Sequence, residues 1–472
     1  MDKPSLSPPT QPDTLWDPLA VVPAARRWLW ALLAVLICVL QGRDFVSSLR
    51  PDRTEGVDFF QDWASARNVL EGLPVYTPQA ASVERYLGKP AKDLFTEKNA
   101  HPPPSVLLAL PFTVLDYPDA TLAWNLVSLV ALAASLLLVI RSLGLPFSFW
   151  SLCPLVTLLL LCNPLLQQVN HGQLSLLLTL LVTGTWVAER SGRPKLAGAL
   201  LGTAMAIKLF PGFLFLYFVL RRQWQVVVAG ATTFVAITVL TLVVLGCLSP
   251  TGFDAGLQAY IGFLEEVLPH VAQYRSDWLN ASLVGFWSKL YDAGTGWSAN
   301  HVQTLQDNPI IATIGIFLSV GLLLDLWALV VWRARSGPKC DHAFGLSVIA
   351  MLLVAPITWD HYFLLLLVPL ALTWQDVPAT DLARGIFLVI LACLWINPLL
   401  LWETFIANTQ GAARGVATPV QIVTLLSFQC YALLGLLAFN LWQLCRVRCR
   451  SRSASDNCSD SADRQRTLLL TK

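Results

Sequence analysis

Residues 195–220 read KLAGALLGTAMAIKLFPGFLFLYFVL, and residues 224–248 read WQVVVAGATTFVAITVLTLVVLGCL. Both runs are apolar and almost free of charge, which is what a helix needs in order to cross a lipid bilayer. Residues 208–212 interrupt the first run. Their Pro and Gly break helical hydrogen bonds, and the backbone groups that lose a partner must then bond protein or water. The two runs therefore predict membrane helices, the first of them broken.

The composition of the whole chain extends this prediction. Charged residues make up 13% of the 472 residues, against about 25% in an average soluble protein. Hydrophobic residues make up 55%, and 18 Trp and a mean hydropathy of +0.58 describe more apolar surface than one globular core can hide. We therefore expect an all-α polytopic membrane protein with about 10–12 transmembrane helices.

The same numbers exclude several classes of function. The net charge is +2, so no strong basic field marks a nucleic-acid binder. The apolar runs are continuous rather than alternating, which excludes an outer-membrane β-barrel. The sequence has neither a soluble α/β pattern nor a Gly-rich phosphate loop, so we expect no nucleotide-sugar site.

Apolar runs of this kind recur along the chain. The predicted membrane segments are 28–42, 105–140, 147–163, 173–188, 195–220, 224–248, 309–332, 343–357, 361–375, 385–401 and 419–445. Residues 115–119 interrupt the second segment, so its first half is predicted to be a short helix or a half-membrane hairpin.

Lys and Arg fall into six clusters that predict the orientation of these segments. All six clusters can face the cytoplasm under two conditions. Segment 195–220 must enter the membrane and leave it on the same side, and residues 105–118 must not cross the membrane completely. Both termini are then cytoplasmic, in a protein that we expect in a bacterial plasma membrane. The predicted parts are a disordered tail at 1–22, a membrane domain at 23–445 with outer loops at 43–104 and 249–308, and a disordered basic tail at 446–472.

The first outer loop predicts a helix with two carboxylates. Its apolar residues recur at steps of three or four, at Phe59, Trp63, Ala66 and Leu70. This spacing is typical of an amphipathic helix on a membrane surface, here ended by Gly72. Asp58 and Asp62 either cap the helix and complement its dipole, or deprotonate a hydroxyl group beside a lipid-borne donor. Partial desolvation and a neighbouring carboxylate would raise the proton affinity needed for the second role.

Two further polar elements face the same side in this topology. His101 precedes three prolines that fix an extended chain, and it is either a structural or a site residue. Asn170 and Gln173 belong to a polar stretch, 163–174, between two apolar runs. Such a stretch is either a surface turn or the lining of a cavity whose hydrogen bonds suit sugar hydroxyls.

Lys208 and the outer start of the 361–375 segment carry the remaining charges. An ammonium group inside an apolar run needs an anion, a water path or a route to the interface, so Lys208 either contacts a phosphate or carboxylate or extends to the surface. Asp360 and His361 stand among interfacial aromatic residues, where a cationic imidazole can stabilise a phosphate or merely cap the helix. Asn280 begins an Asn-x-Ser sequence that is a glycosylation acceptor, a structural residue or a substrate contact.

The order of these motifs resembles one family, the polyprenyl-phosphate-dependent glycosyltransferases of family 87, in the C superfamily of integral membrane glycosyltransferases. The matching features cover residues 56–365, and after the acidic residue of the first outer loop they are Gly72 to Tyr76, His101 to Pro104, Gly172-Gln173, Lys208 to Pro211, Asn280 to Ser282 and Pro356 to His361. The chain departs from the family where it carries Asp62 and His101, because family members often have an aromatic residue and a Tyr there.

The resemblance implies an inverting enzyme that moves a sugar, with mannose the best-known case, from a polyprenyl phosphate to a lipid-linked or glycan acceptor outside the membrane. Asp58 would be the general base, and Lys208 and His361 would contact the donor phosphate. The residues assigned to the sugar and acceptor pocket are Asp62, His101, Asn170, Gln173, Asn280 and Asp360.

Two points remain open at this stage. No cofactor is required, although Asp58 and Asp62 have the carboxylates to hold one divalent ion. The alternative function is a secondary transporter or lipid-sugar flippase, because broken helices, Lys208 and Asp325 inside an apolar run are also typical of transporters. The long first outer loop favours the enzyme.

Overall fold

A computed structural model describes residues 24–50, 58–88, 98–145, 149–292, 294, 301–334, 338–378, 380–407 and 415–445. The predicted tails at 1–22 and 446–472 lie outside the described residues. Within those residues the chain forms helices and no strand, apart from an isolated bridge between Val302 and Ala417. The predicted all-α fold is confirmed.

The helices divide most of the predicted segments into shorter pieces. The α-helices are α1 Ala24–Leu49, α2 Phe59–Leu70, α3 Gln79–Leu87, α4 Pro103–Ala109, α5 Tyr117–Leu143, α6 Phe149–Leu161, α7 Asn163–His171, α8 Ser175–Arg190, α9 Pro194–Ile207, α10 Leu214–Leu220, α11 Trp224–Leu248, α12 Phe253–Gly262, α13 Leu268–Val271, α14 Leu283–Tyr291, α15 Pro309–Arg333, α16 Pro338–Val354, α17 Leu367–Asp376, α18 Asp381–Trp395, α19 Pro398–Trp402, α20 Pro419–Thr424 and α21 428–445. The 3₁₀ segments are Leu110–Val114, Phe210–Phe213, Ala272–Ser276 and Asp360–Leu366, and the π-helical segments are Phe263–Val267 and Glu403–Ala407.

Among the described residues, five helices are long and apolar enough to cross a membrane, and seven if each of two bent pairs counts as one span. The bent pairs are α6 with α7, at 63°, and α18 with residues 398–407, at 78°. This is fewer full-length spans than the predicted 10–12, because Pro and polar residues split several apolar runs into short helices. The predicted breaks near residues 115 and 208 are both present.

Close packing of α9 on α11 fixes the broken segment that carries Lys208. A Cβ atom on Gly198 would lie 2.3 Å from the carbonyl oxygen of Val226, and one on Gly202 would lie 2.3 Å from that of Gly230. Small residues four apart let helix backbones approach each other in lipid. The end of α9 is therefore held rigidly where its chain leaves the helix.

The predicted helix of the first outer loop is confirmed, but protein rather than lipid covers its apolar face. Ten of the 12 residues of α2 are buried. The ring of Phe59 stacks on Trp124 of α5 at 5.0 Å, and the indole nitrogen of Trp63 donates to the carbonyl of Phe112, 3.2 Å away. The short helix α4 and its 3₁₀ extension cover the face that we expected to meet lipid. Gly72, at φ +74°, follows the helix end as predicted.

A glycine turn after α7 joins this buried helix to the next polar element. Gly172 has φ +63°, and a Cβ atom there would lie 2.6 Å from the Cβ of Phe59. The indole nitrogen of Trp124 donates to the carbonyl of Gly172 across 2.7 Å. Only glycine satisfies both the backbone conformation and the contact, and the turn brings Gln173 to the start of α2.

Candidate active site

Asp58 stands at the N-cap position of α2 but does not cap it. Its side chain makes no hydrogen bond to the helix backbone. Instead Asp58 Oδ2 accepts a hydrogen bond from Nε2 of Gln173. Gln173 is itself fixed by Gln168, whose amide bonds the carbonyl of Gln173 and the backbone nitrogen of Ser175. The half-buried carboxylate of Asp58 is thus oriented from a distant turn, and its other oxygen has no hydrogen-bond partner among the described residues.

Asp62, one turn later, is buried, and both of its carboxylate oxygens are bonded. It is 3% exposed. Asp62 Oδ1 accepts from Asn99 Nδ2 at 3.0 Å and from Ser105 Oγ at 2.7 Å, and Oδ2 lies 2.9 Å from His101 Nδ1. Burial raises the pKa of Asp62, but the nearby His101 and the three hydrogen bonds outweigh burial, so this pKa lies below its ordinary value. The direction is opposite to the one expected for a base, and Asp62 serves to hold His101.

The contact with Asp62 determines how His101 meets Lys208. A carboxylate only accepts hydrogen bonds, so Nδ1 of His101 carries the proton. The other ring nitrogen, Nε2, lies 3.5 Å from Lys208 Nζ. Asp62, His101 and Lys208 therefore form a chain of polar contacts that runs from the buried helix to the end of α9.

Lys208 leaves α9 in an extended conformation, with φ −152° and ψ 131°. Its ammonium group lies 4.7 Å from the ring centre of Tyr362, which in turn stacks on Phe210 at 4.9 Å. Among the described residues it makes no salt bridge to a carboxylate. A positive charge held by an imidazole and an aromatic face is available to an anionic ligand.

The first residues of the 3₁₀ segment 360–366 add a second basic group. Asp360 accepts hydrogen bonds from Asn163 Nδ2 at 2.8 Å and from the backbone nitrogen of His361 at 2.7 Å. The imidazole of His361 does not cap the segment, because its Nδ1 is directed at Asp360, 3.7 Å away.

Two buried polar atoms of the residues described above have no hydrogen-bond partner among the described residues. They are Oε1 of Gln173 and Nε2 of His361. Buried polar atoms are rarely left unpaired, and exceptions commonly belong to sites that bind a ligand or catalyse a reaction. We call Asp58, Asp62, His101, Gln173, Lys208, Asp360 and His361 the Asp58 site.

The structure places the two remaining predicted residues differently. Asn280 is fully buried, and its amide bonds the carbonyls of Arg275 and Pro356 and the backbone nitrogens of Ser282 and Thr358, all within 3.1 Å. These bonds use its whole capacity, so they favour the structural role over glycosylation or substrate contact and tie the second outer loop to the residues before Asp360. Asn170 lies half-buried on α7, two residues before Gly172.

Sequence analysis did not identify several residues of the site. Asn99 and Ser105, which bind Asp62, lie next to the His101 motif, and only this adjacency in the sequence could have indicated them. Asn163 was visible only as part of a polar stretch, because its partner Asp360 is 197 residues away.

No group of three or more His, Cys, Asp or Glu side chains in the described residues is arranged to hold a metal ion. Asp58 and Asp62 also bind different partners, the amide of Gln173 and the donors around His101. The two carboxylates therefore do not present a shared set of free oxygens.

Comparison with known proteins gives a family and several relatives. Residues 99–356, more than half of the chain, match the model of glycosyltransferase family 87. This range contains His101, Asn170, Gln173, Lys208 and Asn280, whereas Asp58, Asp62, Asp360 and His361 lie outside it.

Two mycobacterial proteins are similar to the chain. Both are named polyprenol-phosphate-mannose-dependent alpha-(1-2)-phosphatidylinositol mannoside mannosyltransferase. The protein of Mycolicibacterium smegmatis is 24% identical over 58% of this chain and 61% of its own length. This chain therefore spans less than two thirds of that relative. The protein of Mycobacterium tuberculosis is 29% identical over 72% of this chain and 75% of its own length. No solved structure matches.

Proposed function

We propose that this chain, which belongs to glycosyltransferase family 87, transfers a sugar from a polyprenyl phosphate to a hydroxyl group of a lipid-linked or glycan acceptor. The family membership confirms the resemblance drawn from the sequence motifs, and it supports a membrane glycosyltransferase over the alternative of a transporter or flippase. Asp325, which a transporter would hold inside its bundle, lies on an exposed face of α15. The donor, the acceptor and the course of the reaction are our proposal.

The observation that carries the proposal is the contrast between an open carboxylate and a nearby uncompensated cation. Among the described residues, Asp58 is bonded by one amide at one oxygen only, and Lys208 has no carboxylate partner. A reaction that removes a proton from an alcohol and releases a phosphate needs one group of each kind.

The chemical step follows from these roles. An acceptor hydroxyl donates its proton to Asp58 while its oxygen forms a bond to C1 of the donor sugar. The bond between C1 and the phosphate oxygen breaks, and its electron pair leaves with polyprenyl phosphate. A single displacement from the opposite face inverts the configuration at C1, so a β-linked donor gives an α-linked product.

Lys208 and His361 stabilise the leaving group in this scheme. Negative charge grows on the phosphate as the C1–O bond breaks, and preorganised cationic or hydrogen-bonding groups lower that barrier without reorganising. Asp62 and His101 act on Lys208 rather than on the substrate, because both Asp62 oxygens are already bonded and His101 Nε2 faces the ammonium group. We assign both residues to positioning.

The donor requires an enzyme that is open to lipid. A polyprenyl chain stays in the bilayer while its phosphate and sugar react at the boundary. Several long apolar helices support an integral membrane protein, and the distribution of Lys and Arg supports an active site on the outer face of a bacterial plasma membrane. Cysteine labelling tests this orientation: with the native cysteines replaced by Ser, Glu84→Cys is expected to react with a membrane-impermeant reagent in intact cells, and Lys195→Cys is expected not to react. The reverse pattern contradicts it.

The names of the relatives guide the choice of substrates. The two mycobacterial proteins are named for polyprenol-phosphate-mannose as donor and phosphatidylinositol mannosides as acceptors. We therefore propose mannose as the transferred sugar and a lipid-linked sugar as the acceptor.

We also propose that transfer needs no divalent ion, because Asp58 and Asp62 bind separate partners. Addition of EDTA to the purified enzyme is expected to leave the transfer rate within about two-fold of the untreated rate. A loss that Mg²⁺ or Mn²⁺ restores contradicts this part of the proposal.

The whole function is tested with the full chain in lipid nanodiscs. The reaction contains polyprenyl-phosphate [¹⁴C]mannose and a phosphatidylinositol mannoside, and GDP-mannose replaces the donor in a control. We expect a labelled glycolipid with an α linkage from the lipid donor and none from the nucleotide donor. Transfer from GDP-mannose, or a β-linked product from a β-linked donor, contradicts the proposal.

A further inference from the structure

A cleft of about 260 Å³ lies beside the Asp58 site and has no role in the scheme above. Residues 98–100 form one wall, and the second outer loop forms the other with Glu266, His270 and Tyr274. Its volume is slightly below the ~300 Å³ at which pockets for drug-sized ligands begin. It therefore suits a single small ring rather than a long chain.

The inner wall of the cleft is built on the residues that hold the catalytic network. Asn99 lines the cleft, is 1% exposed, and donates to the carbonyl of Gln61, to Asp62 Oδ1 and to Ser65 Oγ within 3.1 Å. Its Oδ1 accepts from the backbone nitrogen of His101 at 2.9 Å. A ligand in the cleft would therefore rest against the same segment that fixes His101 opposite Lys208.

Aromatic contacts connect the outer wall to Asp360 and His361 of the Asp58 site. The ring of Tyr274 packs edge-on against Trp359 at 6.4 Å, and Trp359 directly precedes Asp360 and His361. Glu266 belongs to the π-helical segment Phe263–Val267 between α12 and α13. Single π-helical turns occur frequently at functional sites.

The charge of the cleft selects the class of ligand. Lys98 pairs with Glu266 across the two walls, so the two formal charges cancel and the cleft has little attraction for a phosphate. What remains is the ring of Tyr274 beside the imidazole of His270 and the carboxylate of Glu266, and this mixture of an apolar wall with a few polar groups is typical of small-molecule sites. A sugar ring presents the complementary surface, with an apolar C–H face and a rim of hydroxyls.

We propose that this cleft binds a neutral sugar ring of the acceptor and thereby directs the next hydroxyl group to Asp58. The inference rests on the proposed function for the identity of the ligand as an acceptor. The ring stacks on Tyr274, and its hydroxyls bond Glu266 and His270.

Saturation-transfer NMR tests the cleft without requiring transfer. The probe is methyl α-mannoside, added to the full chain in nanodiscs. We expect binding to wild type and to Tyr274→Phe, which keeps the ring, and at least ten-fold weaker binding to Tyr274→Ala and to Val271→Trp, which fills the cleft. Lys195→Ala, which changes an exposed lysine at the start of α9, serves as the matched control and keeps wild-type binding. Equal thermal unfolding temperatures verify that the variants are folded.

The outcomes separate this inference from the function itself. If wild type does not bind the mannoside, or if both Tyr274→Ala and Val271→Trp bind it as wild type does, the cleft is not an acceptor site, whatever the transfer assay gives. If binding depends on Tyr274 but the enzyme transfers no sugar from a polyprenyl phosphate, the proposed function is wrong. The assignment of the cleft as a sugar-binding site then still holds.

Discussion

Two polar clusters of this protein contrast in how completely their groups are paired. The first is the Asp58 site. The second, the Glu189 cluster, consists of Glu189, Tyr217, Arg221, Gln223 and Cys340. Glu189 Oε1 accepts from Tyr217 at 3.0 Å, Arg221 at 2.6 Å and Gln223 at 3.0 Å, and Arg221 also reaches Cys340 Sγ at 3.0 Å.

The difference lies in the unpaired atoms. In the described part of the chain, the Glu189 cluster has no buried side-chain atom without a partner, whereas Gln173 and His361 of the Asp58 site each have one. A fully satisfied network stabilises and specifies a fold, and one with open positions has capacity for a ligand. The Glu189 cluster therefore ties α8, α10 and α16 together, and the unpaired atoms of the Asp58 site are consistent with the substrate role that we propose for it.

The contrast predicts that Lys208→Ala impairs catalysis without unfolding the protein. Removing one group that stabilises the leaving phosphate is expected to lower kcat/KM for the donor by about 10²–10³-fold, as measured with varied polyprenyl-phosphate mannose. Lys195→Ala, an exposed lysine at the start of α9, is the matched control and should keep full activity. An unchanged kcat/KM in Lys208→Ala would remove Lys208 from the phosphate site.

The complementary prediction concerns Glu189→Gln. Breaking a buried ion pair costs ~3–5 kcal/mol, and this pair is about one tenth exposed, so we expect a loss of about 2–4 kcal/mol in the free energy of unfolding. Transfer activity per folded molecule should stay at the wild-type level. Asp119→Asn removes an exposed pair with Arg50 and should cost less than ~1 kcal/mol. A catalytic defect in folded Glu189→Gln would break the comparison.

A smaller loss of stability than at Glu189 is expected at Asp62, whose pKa lies below its ordinary value near 3.8. A carboxylate with a lowered pKa contributes stability above that ordinary value, and the contribution disappears as pH falls through the lower folded-state pKa. Asp62→Asn should therefore cost about 1.5–3 kcal/mol at pH 7, and the difference from wild type should shrink below pH 4. Denaturant unfolding at both pH values measures it. A difference that stays constant with pH would argue against an ionised Asp62 in the contact with His101.

Sequence patterns predicted the broken segment at Lys208, because Pro and Gly beside a lysine visibly disrupt an apolar run. They left the polar stretch 163–174 open as either a surface turn or the lining of a cavity. They did not predict that α2 is buried, since its twelve residues read the same whether lipid or protein covers them. The covering elements, α4 and α5, come from later in the chain. The bonds of Asn99 and Ser105 to Asp62 were missed for the same reason: short polar side chains have no periodicity that identifies a distant partner.

The central claim is that Asp58 removes the proton from the acceptor. The most direct measurement is the single-turnover transfer rate of Asp58→Asn in nanodiscs, with saturating polyprenyl-phosphate mannose and a phosphatidylinositol mannoside. General-base catalysis contributes about 10²–10⁴-fold, so we predict a loss of that size with donor affinity unchanged. A folded Asp58→Asn enzyme that transfers at the wild-type rate would contradict the account.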